Sequence, residues 1–84
     1  MKFREHRGQY EDSMATEVEV KDFPALLTHL QGLLSMFPTA PPVNAGTVTI
    51  APYYGVDPRN GWDTHIVVLK DYGVMGFTDS PEGA

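Results

Sequence analysis

The chain contains no cysteine, few basic residues and no long apolar run. Without cysteine there is no disulfide, no thiolate zinc site and no catalytic thiol. Six basic residues stand against eleven acidic ones, and this net charge of -5 is opposite in sign to a nucleic-acid footprint. No apolar run approaches the roughly 18 residues of a membrane-spanning helix, and the first residues lack the apolar region of a signal peptide. We therefore expect a soluble cytoplasmic protein that binds neither nucleic acid directly nor a membrane.

The length of 84 residues leaves room for one hydrophobic core. We expect a single domain over residues 1–84, with a polar N-terminal segment at 1–13 and a frayed tail at 79–84. Residues 38–46 contain three prolines and no charge, which is typical of an extended, semi-rigid connector. The segments on both sides of this connector are therefore expected to share the core.

One segment has helical periodicity. Residues 22–37 are expected to form a helix that begins at an Asp22 N-cap, with Pro24 in its first turn. Pro38 is expected to end it, since the residue before a proline avoids the α conformation. His29 is expected on the solvent side. The apolar stripe consists of Phe23, Leu26, Leu27, Leu30, Leu33, Leu34 and Phe37.

The rest of the chain favours strands. Alternating residues predict strands at 14–20, 47–53, 64–70 and 74–78, and a short edge strand before Gly8. Asp71-Tyr72-Gly73 is expected to be a tight turn with the glycine at positive φ. Strands on both sides of one helix favour an α+β fold. We expect a small, mostly antiparallel sheet of three to five strands, with one amphipathic helix packed on one face.

The strand at 64–70 is apolar on both of its faces, whereas a single helix covers only one face of a sheet. The predicted core therefore includes either Ile66 and Val68 or Val67 and Leu69. Its other members are Val18, Val20, Leu26, Leu27, Leu30, Leu34, Phe37 and Ile50. If Val67 and Leu69 lie on the uncovered face, they form an apolar patch with Phe77, and such patches mark association surfaces.

Candidate catalytic and metal-binding residues are few. Asp63 and His65 lie two residues apart on a strand, and His6 or His29 could join them. Zinc, however, needs three or four ligands, and the histidine spacing matches no metal motif. The serines and glycines form no nucleophile or phosphate site. We expect no catalytic residue, no metal and no cofactor. A small hydrolase or metal protein that uses His65, Asp63 and His6 is the alternative.

Two further groups are candidates for partner binding. Tyr53, Tyr54 and Trp62 lie in or beside a loop rich in proline and glycine, where aromatic residues are favoured anchors. An acidic group could meet a basic partner, although a solvated strand face also explains it; its members are Glu11, Asp12, Glu17 and Glu19. We favour the aromatic group as the anchor.

Parts of the chain resemble a known group of proteins. The stretches are KFREHRG at 2–8, SMAT at 13–16, GWDTHIV at 61–67 and VMGF at 74–77. They resemble short proteins of tailed phages and prophages, a group of uncharacterised function. The resemblance implies a phage or mobile-element setting, in which small acidic proteins without catalytic motifs are often inhibitors of host defence, including anti-CRISPR proteins.

Together these features predict a non-enzymatic binding protein that blocks a host protein or nucleoprotein complex by occlusion. The alternative is a homodimeric structural or assembly protein of a phage or prophage. In that dimer the sheet faces would pair and bury Val67, Leu69 and Phe77.

Overall fold

A computed structural model describes residues 1–5, 17–53 and 64–79. The strands it contains pair antiparallel throughout, in the order β2-β1-β5-β4-β3. The predicted α+β fold, an antiparallel sheet with one helix on it, is therefore confirmed. No helix in these three ranges is long and apolar enough to cross a bilayer. The elements in chain order are β1 (Lys2–Glu5), β2 (Glu17–Glu19), α1 (Phe23–Leu33), β3 (Val48–Pro52), β4 (His65–Leu69) and β5 (Gly73–Thr78).

β1 is an inner strand, which corrects the prediction of an edge strand. It pairs with β2 on one side and with β5 on the other. Phe3 is fully buried, and the Thr78 hydroxyl donates a hydrogen bond to the Lys2 carbonyl at 2.5 Å. The strand lies inside the sheet because both of its edges are paired, and its alternate residues Phe3 and Glu5 are buried on one face. β2 covers only part of the predicted 14–20, and residues 14–16 lie outside the described ranges.

The start of α1 agrees with the prediction. Asp22 has extended backbone angles, and its carboxylate accepts a hydrogen bond from the Ala25 N–H at 3.0 Å. This is an N-cap, which satisfies one of the free N–H groups of the first turn. Pro24 lies in that turn, where its missing N–H is of no consequence.

The end of α1 comes earlier than predicted. The Gly32 carbonyl accepts hydrogen bonds from both the Ser35 N–H and the Ser35 hydroxyl, at 3.3 and 2.8 Å. The Phe37 N–H then donates to the Leu34 carbonyl at 3.0 Å. Such three-residue steps and side-chain bonds replace the helical pattern. Phe37 consequently leaves the apolar stripe and is 54% exposed, so the prediction that it belongs to the core is wrong.

The β4–β5 hairpin has a tight turn, as predicted. Asp71 and Gly73 both have positive φ, at 63° and 128°. The Tyr72 N–H donates to the Leu69 carbonyl at 3.0 Å and closes the turn. Glycine adopts this conformation without strain, and aspartate is among the residues that tolerate it best.

A β-bulge interrupts the same hairpin. Val67 lies opposite Gly76, but Val68 lies opposite Val74, so Met75 is an extra residue without a partner of its own. Met75 and Gly76 are both buried although they are consecutive in a strand. The bulge therefore shifts by one residue which side chains of β5 point to each face of the sheet.

The core lies between α1 and one face of the sheet. On β4, Val67 and Leu69 belong to this face and are fully buried, whereas Ile66 and Val68 lie on the opposite face and are half-buried. Of the two pairs that the sequence left open, Val67 and Leu69 are therefore the one that belongs to the core. The core consists of Phe3, Val20, Leu26, Leu30, Leu34, Val48, Ile50, Val67, Leu69 and Met75, with Val18 and Leu27 partly buried against it.

The connector at 38–46 contains no helix or strand. Ala40 and Val43 pack against the core. The Thr47 hydroxyl donates to the Pro42 carbonyl at 2.7 Å and accepts from the Asn44 N–H at 3.0 Å. These contacts hold the connector against the domain and fix where β3 begins.

Candidate functional site

The exposed large apolar side chains in the described ranges come from two short segments. Met36 and Phe37 follow the end of α1, with 84% and 54% of their surface exposed. Tyr72 and Val74 belong to the β4–β5 hairpin, with 48% and 39% exposed. Scattered apolar residues are normal on a protein surface, whereas a contiguous group indicates a binding surface.

Three of these four side chains line one cavity of about 490 Å³, between the end of α1 and the hairpin. We call it the helix–hairpin pocket. Its volume falls in the range of roughly 300 to 1,000 Å³ that is typical of ligand sites. The described residues that line it are Glu5, Leu33, Leu34, Phe37, Tyr72, Val74 and Met75.

Two local features of the chain form this pocket. The early end of α1 carries Phe37 away from the core, and Leu33 and Leu34 remain as one wall. The bulge in β5 brings Met75 to the buried side, beside the end of β1. Neither feature follows from the periodicity of the sequence, and none of the pocket residues is among the predicted site residues.

A buried acidic side chain also lines the pocket. Glu5 is only 5% exposed, and its Oε1 atom lies 2.7 Å from Nε2 of His29. The His29 ring also packs edge-to-face against Phe3, with ring centres 5.8 Å apart. Burial of a carboxylate is unfavourable unless it has hydrogen-bond partners, and His29 provides one. His29 is half-buried, so the prediction that it lies on the solvent side is wrong.

The opposite face of the sheet carries a second apolar group, which we call the second sheet face: Tyr53, Ile66, Val68 and Phe77. The rings of Tyr53 and Phe77 meet edge-to-face with centres 5.3 Å apart. Ile66 lies opposite Phe77 in the β4–β5 register. All four side chains are half-buried. Each of these four side chains is less exposed than Phe37 and Tyr72 of the helix–hairpin pocket.

The predicted apolar patch needs a correction. Val67 and Leu69 are fully buried on the helix side of the sheet, so this fold presents neither to a partner. Ile66 and Val68, which alternate with them along β4, lie on the face that α1 does not cover. Phe77 and Tyr53 lie together on the second sheet face. Two aromatic candidates, Tyr54 and Trp62, lie outside the described residues.

The acidic candidates are described only in part. Glu17 and Glu19 are exposed on β2, but basic residues lie across from them on β1: Arg4 opposite Glu17 and Lys2 opposite Glu19. Opposite charges in such cross-strand pairs offset one another. Glu11 and Asp12 lie outside the described residues. The charges on β1 therefore weaken the case for a purely acidic docking surface on β2.

The residues proposed for hydrolysis or metal binding are also described only in part. Nδ1 of His65 lies 2.7 Å from the Thr64 hydroxyl, so a neighbouring side chain engages this ring. Asp63 and His6 lie outside the described residues. Within residues 1–5, 17–53 and 64–79, no three histidine, aspartate or glutamate side chains come together as a metal site requires.

The helix–hairpin pocket has the form of a binding site. It is concave, and the described residues that line it are apolar and aromatic, with Glu5 as the one charged residue among them. Comparison of the chain with family models, with curated proteins and with solved structures gives no match. The function is therefore inferred from the geometry of this pocket.

Proposed function

We propose that this protein is a non-enzymatic binding protein that takes an anchor side chain of a partner protein into the helix–hairpin pocket. The observation behind the proposal is that three of the four exposed large apolar side chains of the described residues line this cavity. Burial of such a side chain contributes about 1.5 to 3 kcal/mol. A partner that covers Phe37 and Tyr72 gains this stabilisation, which the isolated domain leaves unused.

The shape of the pocket supports binding through one anchor. Hot spots of protein interfaces are aromatic or long side chains seated in pockets from which water is excluded. Phe37 and Tyr72 stand at the pocket with about half of their surface exposed, so they can close around an inserted side chain. Tyrosine also offers a hydroxyl for a polar contact at the rim.

The biological setting follows from the sequence resemblance alone. We propose that the partner is a host protein or nucleoprotein complex and that docking blocks a surface of it, as in inhibitors of host defence carried by phages. A domain of this size that docks through one pocket can cover a functional surface of its partner without catalysing a reaction.

A homodimer formed through the sheet would differ from the one predicted from the sequence. Val67 and Leu69 lie beneath α1, so such an interface would use Ile66 and Val68 together with Phe77. Those side chains are already half-buried in the single chain. The second sheet face therefore has less to gain from association than the pocket does.

Pairing of two chains through β3 is also disfavoured. β3 lies at one end of the described strand order, and its N–H groups at 48, 50 and 52 point away from β4. Pro52 has no N–H, and the Val48 N–H donates to the Asn44 carbonyl at 3.0 Å. Ile50 alone offers a donor, and an edge strand of this kind resists pairing.

The proposal can be tested by co-purification from a lysate of the natural host with two matched variants. The pocket variant carries Phe37→Ser and Tyr72→Ser, and the control variant carries Ile66→Thr and Val68→Thr on the second sheet face. Both changes are outside the core, so both variants should fold, which a thermal melt checks.

We expect the control variant to retain the proteins that the unchanged chain recovers and the pocket variant to lose them. The reverse result, loss with the control variant and retention with the pocket variant, would place the binding surface on the sheet. Recovery of nothing above background by the unchanged chain would count against a binding protein.

A further inference from the structure

We propose that Met36 is a site of reversible modification, at which hydroperoxides oxidise the thioether to a sulfoxide while the fold is retained. Met36 lies in the turn that follows α1, just before the connector at 38–46. This reactivity is a property of the folded chain alone and does not depend on the docking of a partner.

Among the described residues, Met36 is the most accessible methionine. It is 84% exposed, whereas Met75 is 8% exposed and Met1 is half-buried against the core. Methionine is one of the residue types that proteins most often bury, so an exposure of this size is unusual. Oxidation of a side chain requires that the oxidant reach it. At Met36 the thioether is open to dissolved reagents.

The reaction is a transfer of one oxygen atom and two electrons. A lone pair of the Met36 sulfur attacks the terminal oxygen of the hydroperoxide, and an S–O bond forms as the O–O bond breaks. The proton of the hydroperoxide passes to the leaving oxygen, which departs as an alcohol, or as water if the oxidant is hydrogen peroxide. The sulfur is oxidised and the peroxide is reduced. Methionine sulfoxide reductases reverse the change.

The local structure around Met36 can accept the added oxygen. The Ser35 hydroxyl donates to the Gly32 carbonyl at 2.8 Å, and the Ala40 N–H donates to the Phe37 carbonyl at 3.0 Å. These bonds hold the turn through the neighbours of Met36. A sulfoxide makes the side chain polar, and a side chain that is 84% exposed keeps the new polar group hydrated.

Met75 is the contrasting case in the same chain. It is the extra residue of the bulge in β5, and it belongs to the buried core. A sulfoxide at this position would bury a polar group in an apolar environment, which is unfavourable. The buried sulfur also reacts only when the structure around it opens locally. In the folded domain, a hydroperoxide should therefore modify Met36 long before Met75.

The test compares the oxidation rates of these two methionines. The unchanged chain is treated with tert-butyl hydroperoxide, once folded and once in urea that unfolds it. Trypsin then separates the two residues, because Arg59 and Lys70 lie between them, and mass spectrometry measures each sulfoxide. In the folded chain we expect Met36 to react at least about tenfold faster than Met75, because the buried sulfur waits for local opening. In urea the two rates should converge.

Two further measurements test the retained fold and the reversibility. Met36→Leu is the matched control, since leucine has a similar volume but no sulfur. After the same treatment with peroxide, the unchanged chain and this variant should have the same melting temperature. Methionine sulfoxide reductases of both stereospecificities, supplied with a thiol reductant, should then remove the oxygen from Met36.

Three results would overturn the inference. Similar rates for Met36 and Met75 in the folded chain would show that exposure does not select the site. A lower melting temperature of the treated unchanged chain than of the treated Met36→Leu variant would show that the sulfoxide disrupts the fold. A sulfoxide at Met36 that the reductases leave in place would show that the modification is not reversible.

Discussion

Gly76→Ala should destabilise the domain strongly, because the site has no space for a methyl group. Gly76 lies in β5 between Glu5 of β1 and Val67 of β4. A Cβ atom built there overlaps the Arg4 carbonyl oxygen and lies 2.5 and 2.7 Å from two atoms of the Phe3 ring. Real Cβ atoms essentially never approach other atoms closer than 3.0 Å.

Neither neighbour can move without cost. The Arg4 carbonyl belongs to the backbone of the paired strand, and Phe3 is fully buried in the core. Overpacking of a core costs about 1 to 3 kcal/mol, and more where the backbone must shift. A domain of this size has a total stability of roughly 4 to 13 kcal/mol. Each kcal/mol lost should lower the melting temperature by about 4 to 8 °C.

Gly32→Ala is the matched control, since it makes the same chemical change in the opposite environment. Gly32 is an exposed residue of α1, and a Cβ atom there meets nothing within 4 Å. Alanine is favoured over glycine within a helix by about 1 kcal/mol. Thermal and urea denaturation should therefore show a loss of stability for Gly76→Ala and a gain for Gly32→Ala. A Gly76→Ala variant that melts with the unchanged chain would refute the described packing of β1 on β5.

Further substitutions test the core, the helix start and the buried acid. Leu30→Ala should lower the free energy of unfolding by about 2 to 5 kcal/mol in urea denaturation, because Leu30 is fully buried; a loss below about 1 kcal/mol would contradict the helix orientation. Asp22→Ala should cost about 1 kcal/mol by the same measurement, since the Ala25 N–H loses its acceptor, whereas Asp22→Ser should restore most of it. His29→Leu should cost about 1 to 3 kcal/mol, because Glu5 loses a buried hydrogen-bond partner. The double variant that also carries Glu5→Leu should lose less stability than the sum of the losses of the two single variants. If the loss of the double variant equals that sum, the two side chains are uncoupled.

Local patterns in the sequence were sufficient for the elements themselves. The spacing of the leucines predicted the buried face of α1, and Asp22 predicted its N-cap. The hairpin turn followed from Asp71-Tyr72-Gly73, since few residues besides glycine adopt positive φ readily. These features depend on interactions between residues that are close in the chain, and such interactions leave a readable period or motif.

The position of Glu5 and the bulge in β5 depend on contacts between residues that are distant in the chain. Glu5 and His29 are 24 positions apart, and only the placement of β1 inside the sheet brings them together. A strand with one apolar residue gave no sign of that placement. The bulge at Met75 follows from pairing with β4, which the sequence of β5 does not encode by itself.

The exposed position of Phe37 is indicated by residues close to it in the sequence. Ser35 can bond back to the carbonyl three residues earlier and Gly32 weakens the helix, so the last turn before Pro38 was open to an early end. The helical spacing of Phe37 predicts a core position, but these local preferences outweigh it. An aromatic residue between a helix end and a proline is therefore a candidate for exposure as well as for the core.

The most direct test of the central claim is where a small neutral apolar probe binds to the unchanged chain. Benzyl alcohol can be titrated while the backbone amide signals are followed by NMR. The account predicts that the shifts concentrate at Leu33, Phe37 and Tyr72, around the helix–hairpin pocket. Shifts that instead concentrate at Ile66 and Phe77, on the second sheet face, would contradict it.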